Sequence, residues 1–238
     1  MKIALIGYGK MGKTIERIAK ERGHTVSVII DEHNKADFDS PVFRDSDVAI
    51  EFTTPESAPR NYKKCFEANV PVVSGTTGWL EHLDEVKAAC KEGGHTFFYA
   101  SNFSLGVNLF FALNEHLARV MNRFPEYNVR MEEVHHIHKL DAPSGTAITL
   151  AEGITENVER KTAWCLEKES LPTDIAIHCV RQDEVPGMHE VVYESAVDTI
   201  SIKHDAKNRE GLALGAVMAA EFAYNKKGFL GMKDMLKF

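Results

Sequence analysis

The sequence predicts an α/β protein: an N-terminal doubly wound parallel sheet, followed by an α+β domain with a mixed sheet. Three observations carry this expectation. Short apolar runs alternate with stretches of helical periodicity from residue 2 to residue 100. A glycine cluster, Gly7-Tyr-Gly-Lys-Met-Gly12, stands between the first run and the first helical stretch. After Phe103 the alternation stops, and a long apolar helix gives way to strands clustered together.

Residues 2–7 (KIALIG) read as a strand, and residues 13–22 as a helix with Ile15, Ile18 and Ala19 on one face. Gly23 stops that helix, and Thr25–Ile30 is a second strand ending at Asp31-Glu32. A G-x-G-x-x-G between strand and helix, with an acid 19 residues past its last glycine, is the context of a Rossmann-like dinucleotide fingerprint. The first glycine allows the tight turn, the second lets a pyrophosphate approach the backbone, and the third lets helix and strand pack closely. Asp31 is expected to hydrogen-bond a ribose hydroxyl, and Glu32 beside it repels a 2′-phosphate. NADH is therefore expected in preference to NADPH, with Lys35 close enough in sequence to soften the preference.

Further apolar strands are expected at 48–52, 70–74 and 96–100, with helices at 55–67 and 79–91 between them. Ligands of such sheets sit beyond the C-terminal strand ends. Thr53-Thr54, Gly75-Thr76-Thr77 and Ser101-Asn102-Phe103 all fall at that edge, as cofactor contacts or as ordinary strand-to-helix loops. Leu105–Met121 is a long apolar helix, and residues 129–135 alternate as a strand. A helix at 144–158 and strands at 175–181, 190–195 and 199–203 follow. Residues 211–224 (GLALGAVMAAEFAY) are small and apolar on nearly every side, so that helix is expected to be buried and to return to the first domain. The expected domains are 1–104, completed by a C-terminal helix at 210–238, and 105–209 for substrate and oligomer contacts. Hinges are expected near 103–105 and 209–211, with closure over bound ligands.

The stretch most charged with chemistry is residues 133–147, EVHHIHKLDAPSGTA. It sets His135, His136, His138 and Lys139 directly before a helix start at Asp141-Ala-Pro-Ser-Gly-Thr146. Exposed N–H groups and the positive end of the helix dipole hold an anion there. The imidazoles and the ammonium add positive charge and a transferable proton. The plainer alternative is a capped helix start preceded by histidines on a solvated loop.

The formal charge of −7 and pI near 5.9 argue against nucleic-acid binding, and require a local basic site for any anionic ligand. No apolar run is long enough to span a membrane, and the N-terminus reads as a strand and not a signal peptide. Cys65, Cys90, Cys165 and Cys179 are scattered, as expected of reduced thiols in a cytoplasmic protein.

Together the fingerprint, SGTTG at 74–78, SNFSLGVN at 101–108 and the 133–147 stretch resemble the dihydrodipicolinate reductases of bacterial lysine and diaminopimelate biosynthesis, over essentially the whole chain. That resemblance implies reduction of a cyclic, unsaturated imine-type dicarboxylate by NADH or NADPH, with hydride transfer followed by protonation. It implies His135 as proton donor or acceptor, Lys139 as a second proton donor, His136 as a substrate contact, and Ser144, Gly145 and Thr146 as the carboxylate cradle. For the cofactor it implies Gly7, Gly9, Lys10, Met11, Gly12, Asp31, Phe52, Thr53, Gly75, Thr76, Thr77, Ser101, Asn102 and Phe103. It also implies a homotetramer. The sequence departs from the family pattern in having Glu32 in place of an arginine, and Asp183 where glycine is usual.

Three other readings are open. The histidines with Glu132 or Glu133 could bind a metal, but adjacent strand residues face opposite ways, so none is expected. The substrate could be that of another amino-acid dehydrogenase, such as aspartate dehydrogenase. Or the chain could be a non-catalytic NAD sensor on the same fold.

Overall fold

The computed structural model describes residues 1–167, 170–208 and 210–237. In chain order the elements begin β1 (Lys2–Ile6), α1 (Lys10–Glu21), β2 (Thr25–Ile30), α2 (Pro41–Arg44), β3 (Val48–Glu51), α3 (Ala58–Glu67), β4 (Val72–Ser74), α4 (Leu83–Gly93) and β5 (Thr96–Tyr99). Next come α5 (Leu105–Met121), β6 (Asn128–His135), α6 (Gly145–Thr155), β7 (Ala163–Leu166), β8 (Asp174–Arg181), β9 (Met188–Glu194) and β10 (Thr199–Asp205). The chain closes with α7 (Glu210–Ala223), β11 (Gly228–Leu230) and α8 (Met232–Leu236). Two compact units result, Met1–Leu105 with Glu210–Phe238, and Gly106–Arg209. Arg209, where the sequence reading ends the second domain and sets a hinge, lies outside the described residues.

The first unit is built on a sheet of order β11-β5-β4-β3-β1-β2, parallel throughout. Its strands are apolar on both faces because both are covered. Ile3, Leu5, Val48, Ile50, Val73 and Phe98 pack with α1 and the alanine-rich α7. The alternate residues Ala4, Ile6, Ala49, Val72 and Phe97 pack with Phe43, Tyr62, Phe66 and Trp79 on the other side. This is the doubly wound sheet expected from the alternation.

The C-terminal segment is not one helix from 210 to 238. The helix ends at Ala223, and Gly228, at φ +100, turns the chain into a strand paired with β5. The third helix starts at Ala58 and not at residue 55, because Pro59 fits its first turn, where no N–H is needed. Trp79 is buried outside α4, with its indole N–H donated to the Thr76 carbonyl at 2.8 Å. Among the described residues no helix is long and apolar enough to cross a membrane.

The second unit has a mixed sheet of order β10-β9-β6-β8-β7, antiparallel from β10 to β6 and parallel from β6 to β7. Inward residues of β6 run Val129, Met131, Glu133, His135. The first two join an apolar core with Ile177, Val191 and Tyr193, under Phe110 of α5 and Leu150 and Ile154 of α6. The register then continues the same face into charged rows: Glu133 lies opposite His189 on one side and Cys179 on the other, and His135 opposite Arg181. One sheet face thus changes from apolar to polar along its length, and the polar end meets the start of α6.

Candidate active site and cofactor cleft

A cleft of about 390 Å³ opens at the C-terminal ends of β1, β2 and β3, where the strand order reverses. It is lined by Gly7, Gly9, Asp31, Phe52 and Thr53 from the sequence reading, and also by Tyr8, Glu32, Lys35, Thr54, Ser57 and Asn61. Gly7 has φ +90, and a Cβ there would stand 2.0 Å from the Phe52 carbonyl oxygen. A Cβ on Gly12 would stand 2.3 Å from the Gly7 carbonyl oxygen, whereas Gly9 has nothing within 4 Å. The motif therefore divides as its chemistry requires: tight turn, open backbone, close packing. Such a cradle fits the pyrophosphate of a dinucleotide.

The other cofactor candidates do not line this cleft. Lys10, Met11 and Gly12 open α1. Gly75 abuts the Phe52 ring, and Thr76 Oγ1 accepts the Thr53 N–H at 2.8 Å. Thr77 and Ser101 are exposed and Asn102 half-buried. Phe103 is a core residue, its ring stacked near Phe98 and tilted against Phe52, so its side chain is not available to a ligand. The strand-end loops share one buried anchor, Glu51. Its carboxylate accepts from Thr53, from Ser74 at 2.8 Å, from Thr76 at 2.9 Å and from Asn61 at 3.3 Å. Burial pushes the Glu51 carboxyl up, against the pull of those four hydrogen bonds.

In the second unit, Ser144 caps α6 by accepting the Ala147 N–H at 3.2 Å. Gly145 is exposed and Thr146 half-buried, with their N–H groups in the unpaired first turn. Lys139 Nζ holds both oxygens of Asp141 at 2.8 Å. His136 is half-buried, while His138 is exposed beside Glu184 at 3.2 Å. His135 is buried, with its Nδ1 3.7 Å from Glu133 Oε2 and unpaired. Burial, opposed by Glu133 and assisted by His189, Lys139 and Arg181, pushes its pKa down to about 4.

Glu133 is wholly buried, yet both oxygens are engaged: Oε2 accepts the Ser144 N–H and Oε1 an Arg181 N–H, each at 3.0 Å. Burial works to raise its pKa, but donors from His189, Ser144 and Arg181 prevail and hold it well below the usual carboxylate range. His189 Nε2 lies 3.0 Å from Ser144 Oγ and 3.6 Å from Glu133 Oε2. Glu133, His135 and His189 are close enough to chelate an ion. His136 is not part of that group and follows the end of β6. Arg181 and the Ser144 N–H already neutralise and satisfy the carboxylate without a metal.

Comparison with known proteins decides the family. Models of the N- and C-terminal parts of dihydrodipicolinate reductase match residues 1–103 and 106–236. A 4-hydroxy-tetrahydrodipicolinate reductase from Christiangramia forsetii is 49% identical over 240 residues, covering 99% of this chain and 98% of that one. The chain belongs to the dihydrodipicolinate reductase family. Another such reductase, from Caldanaerobacter subterraneus, is 34% identical, covering 96% of this chain and 95% of that one. A dipicolinate-bound dihydrodipicolinate reductase from Paenisporosarcina sp. TG-14 has the same fold, with TM-score 0.79 at 23% identity and 98% of each chain covered. An oxidoreductase with a nicotinamide-dinucleotide fold follows from family membership. A Thermotoga maritima aspartate dehydrogenase shares only the fold, with TM-score 0.50 at 16% identity, over 95% of this chain and 97% of that one.

Sequence reasoning passed over Arg181 and His189, and placed Glu133 only as a metal ligand. The signal was present: Glu133 and His135 occupy the inward phase of a strand whose other inward residues are Val129 and Met131. Asp183 has φ +43, and its carbonyl accepts the Ile137 N–H at 3.1 Å. Aspartate tolerates that left-handed conformation, which glycine adopts freely. Gly187, at φ +153, lies against His135: a Cβ there would stand 3.1 Å from its Nε2. Gly187→Ala is expected to cost about 1–3 kcal/mol of backbone strain in chemical denaturation and to shift the His135 ring, lowering kcat.

Proposed function

We propose that this chain reduces 4-hydroxy-tetrahydrodipicolinate to tetrahydrodipicolinate in lysine and diaminopimelate biosynthesis. The observation that carries the reading is the polar cluster of Glu133, His135, Arg181 and His189 beside Lys139 and the α6 N-terminus, in a chain matched by the family from end to end. The reaction removes the 4-hydroxyl as water and adds one hydride and one proton. The dinucleotide, when bound, supplies the hydride.

The chain's own residues supply the rest. One substrate carboxylate sits on the N–H groups of Gly145 and Thr146, at the positive end of α6 and beside the Ser144 hydroxyl. The Lys139 ammonium pairs with the other and is a second donor, beside His135, of the proton taken up by the ring carbon adjacent to the hydride acceptor. His136 contacts the ring. His135, neutral at neutral pH in the free protein, accepts or relays that proton, and the dianion raises its affinity for it. Two carboxylates and a proton call for these cationic and N–H groups, which an NAD sensor would not need, and the family match favours the cyclic substrate over that of another dehydrogenase. Purified protein is expected to oxidise NADH when pyruvate and aspartate semialdehyde are condensed in situ by the synthase. NADH binding without turnover would overturn the reading.

NADH is the preferred cofactor on this reading, since Asp31 and Glu32 both line the cleft, against one Lys35. Asp31 is oriented by the Glu32 N–H on Oδ1 at 2.9 Å, and its own N–H is held by Asn34 at 2.7 Å. Asp31→Ala is expected to weaken NADH binding about tenfold, the worth of a hydrogen bond to a charged group, and to narrow the gap to NADPH. Equal losses for both cofactors would undo the ribose assignment. A homotetramer is part of the same reading: Arg130, Glu132 and His178, on the sheet face opposite α5 and α6, are exposed or half-exposed and offer a surface to further copies. Sedimentation giving a monomer would remove it.

A further inference from the structure

Beyond the proton donors, the second unit holds a buried carboxylate that touches both halves of the site. Glu133 Oε2 accepts the Ser144 N–H at 3.0 Å, lies 3.7 Å from His135 Nδ1 and 3.6 Å from His189 Nε2. His189 in turn reaches the Ser144 hydroxyl at 3.0 Å, and its ring stands edge-on to His135 with centroids 5.0 Å apart. The ring Nδ1 atoms of both histidines are buried without a hydrogen bond. A carboxylate with no exposure is costly unless it is paired, and Arg181 pairs it from the next strand.

We propose that Glu133 and His189 are the positioning pair of this site: a single carboxylate holds the N-terminal turn of α6 through the Ser144 N–H and faces the His135 imidazole at ion-pair distance. The proposal rests on the reductase reading and deepens it. Strand pairing does the placing. Glu133 and His189 are direct partners across β6 and β9, so the pair is as rigid as the sheet. His135 follows two residues later on the same face. The Ser144 N–H, which an α6 cap would otherwise leave to solvent, is turned inward, leaving Gly145 and Thr146 to face a ligand. The groups that set the charge on His135 are Glu133 from its own strand, Arg181 from β8 and His189 from β9, with Cys179 of β8 facing Glu133. Lys139 and Asp141 follow in the next loop, and His204 of β10 lies beyond His189. Among the described residues acting directly on His135, Glu133 is the one that favours its protonated form.

The test is Glu133→Gln in the full chain, with wild type alongside. The carboxamide keeps the size and the acceptor for the Ser144 N–H but removes the charge. The imidazole signals of His135, followed by NMR without substrate, are expected to titrate at lower pH than in wild type. Whichever limb of the kcat/KM pH profile belongs to His135 is expected to move to lower pH, with kcat down at least tenfold and NADH affinity unchanged. An unshifted His135 titration overturns the proposal, whereas absence of wild-type turnover overturns the functional reading instead. If Glu133→Gln does not fold, His189 decides. His189→Gln keeps a nitrogen at the Nε2 position and is expected to retain most of the wild-type KM for the dicarboxylate. His189→Leu is expected to raise that KM at least tenfold. Equal effects of the two substitutions would reduce His189 to packing and overturn the pair.

Discussion

Replacing His135 with glutamine is expected to lower kcat on the order of 10²–10⁴-fold, the usual worth of a positioned proton-transfer group, while the dissociation constant for NADH keeps its wild-type value. The separation follows from where the residues lie. His135 ends β6 in the second unit, and the cleft at the ends of β1, β2 and β3 proposed for the dinucleotide is lined by residues of the first. The loss is incomplete because Lys139 still offers an ammonium beside the α6 N-terminus. The pKa of about 4 gives the result a further edge. At neutral pH such a ring is largely uncharged, so it becomes a donor when a dianion raises its affinity for the proton. Binding of a cyclic dicarboxylate analogue is therefore expected to move the His135 titration upward, opposite in sign to the effect of removing Glu133. Steady-state rates and a fluorescence titration with NADH check the first claim, and an unchanged kcat would remove His135 from the mechanism.

The parts of the molecule legible in sequence are those set by local chemistry. Strand-turn-helix spacing around Gly7 and Gly12, an acid closing the second strand and a serine capping α6 are patterns that neighbouring residues complete among themselves. What eluded reading depends on partners far along the chain. Arg181 lies 48 residues from Glu133, and His189 reaches Ser144 across 45. Neither spacing has a period, because both are set by how β8 and β9 flank β6. The same holds for Gly228–Leu230, three residues whose strand character exists only because β5 offers an edge. Conversely, Phe103 was legible as part of a strand-end loop but not as a core ring, since its burial is made by Phe98, Phe52 and the returning α7. Gly215 of that helix approaches so closely that a Cβ would stand 1.7 Å from the Phe103 carbonyl oxygen.

Two glycines of one motif are expected to fail in opposite ways. Gly7→Ala is expected to destabilise the chain by about 2–5 kcal/mol, summing left-handed strain and overpacking. Its φ is +90, the new Cβ would run into the Phe52 backbone, and the Gly7 N–H that ties β1 to the Ile30 carbonyl at 2.8 Å would be displaced. Gly9→Ala meets none of this: its φ is −76, and the space around its absent Cβ is empty to 4 Å. Its stability is expected to stay within about 0.5 kcal/mol of wild type. The empty space is instead what a pyrophosphate needs to reach the N–H groups opening α1, so NADH affinity is expected to fall by about tenfold or more, about 1.4 kcal/mol. Urea denaturation and a binding titration on the two variants separate the effects. Equal loss of stability in both would mean that Gly9 is held open by packing, and unaltered NADH affinity in Gly9→Ala would place the phosphates elsewhere in the cleft.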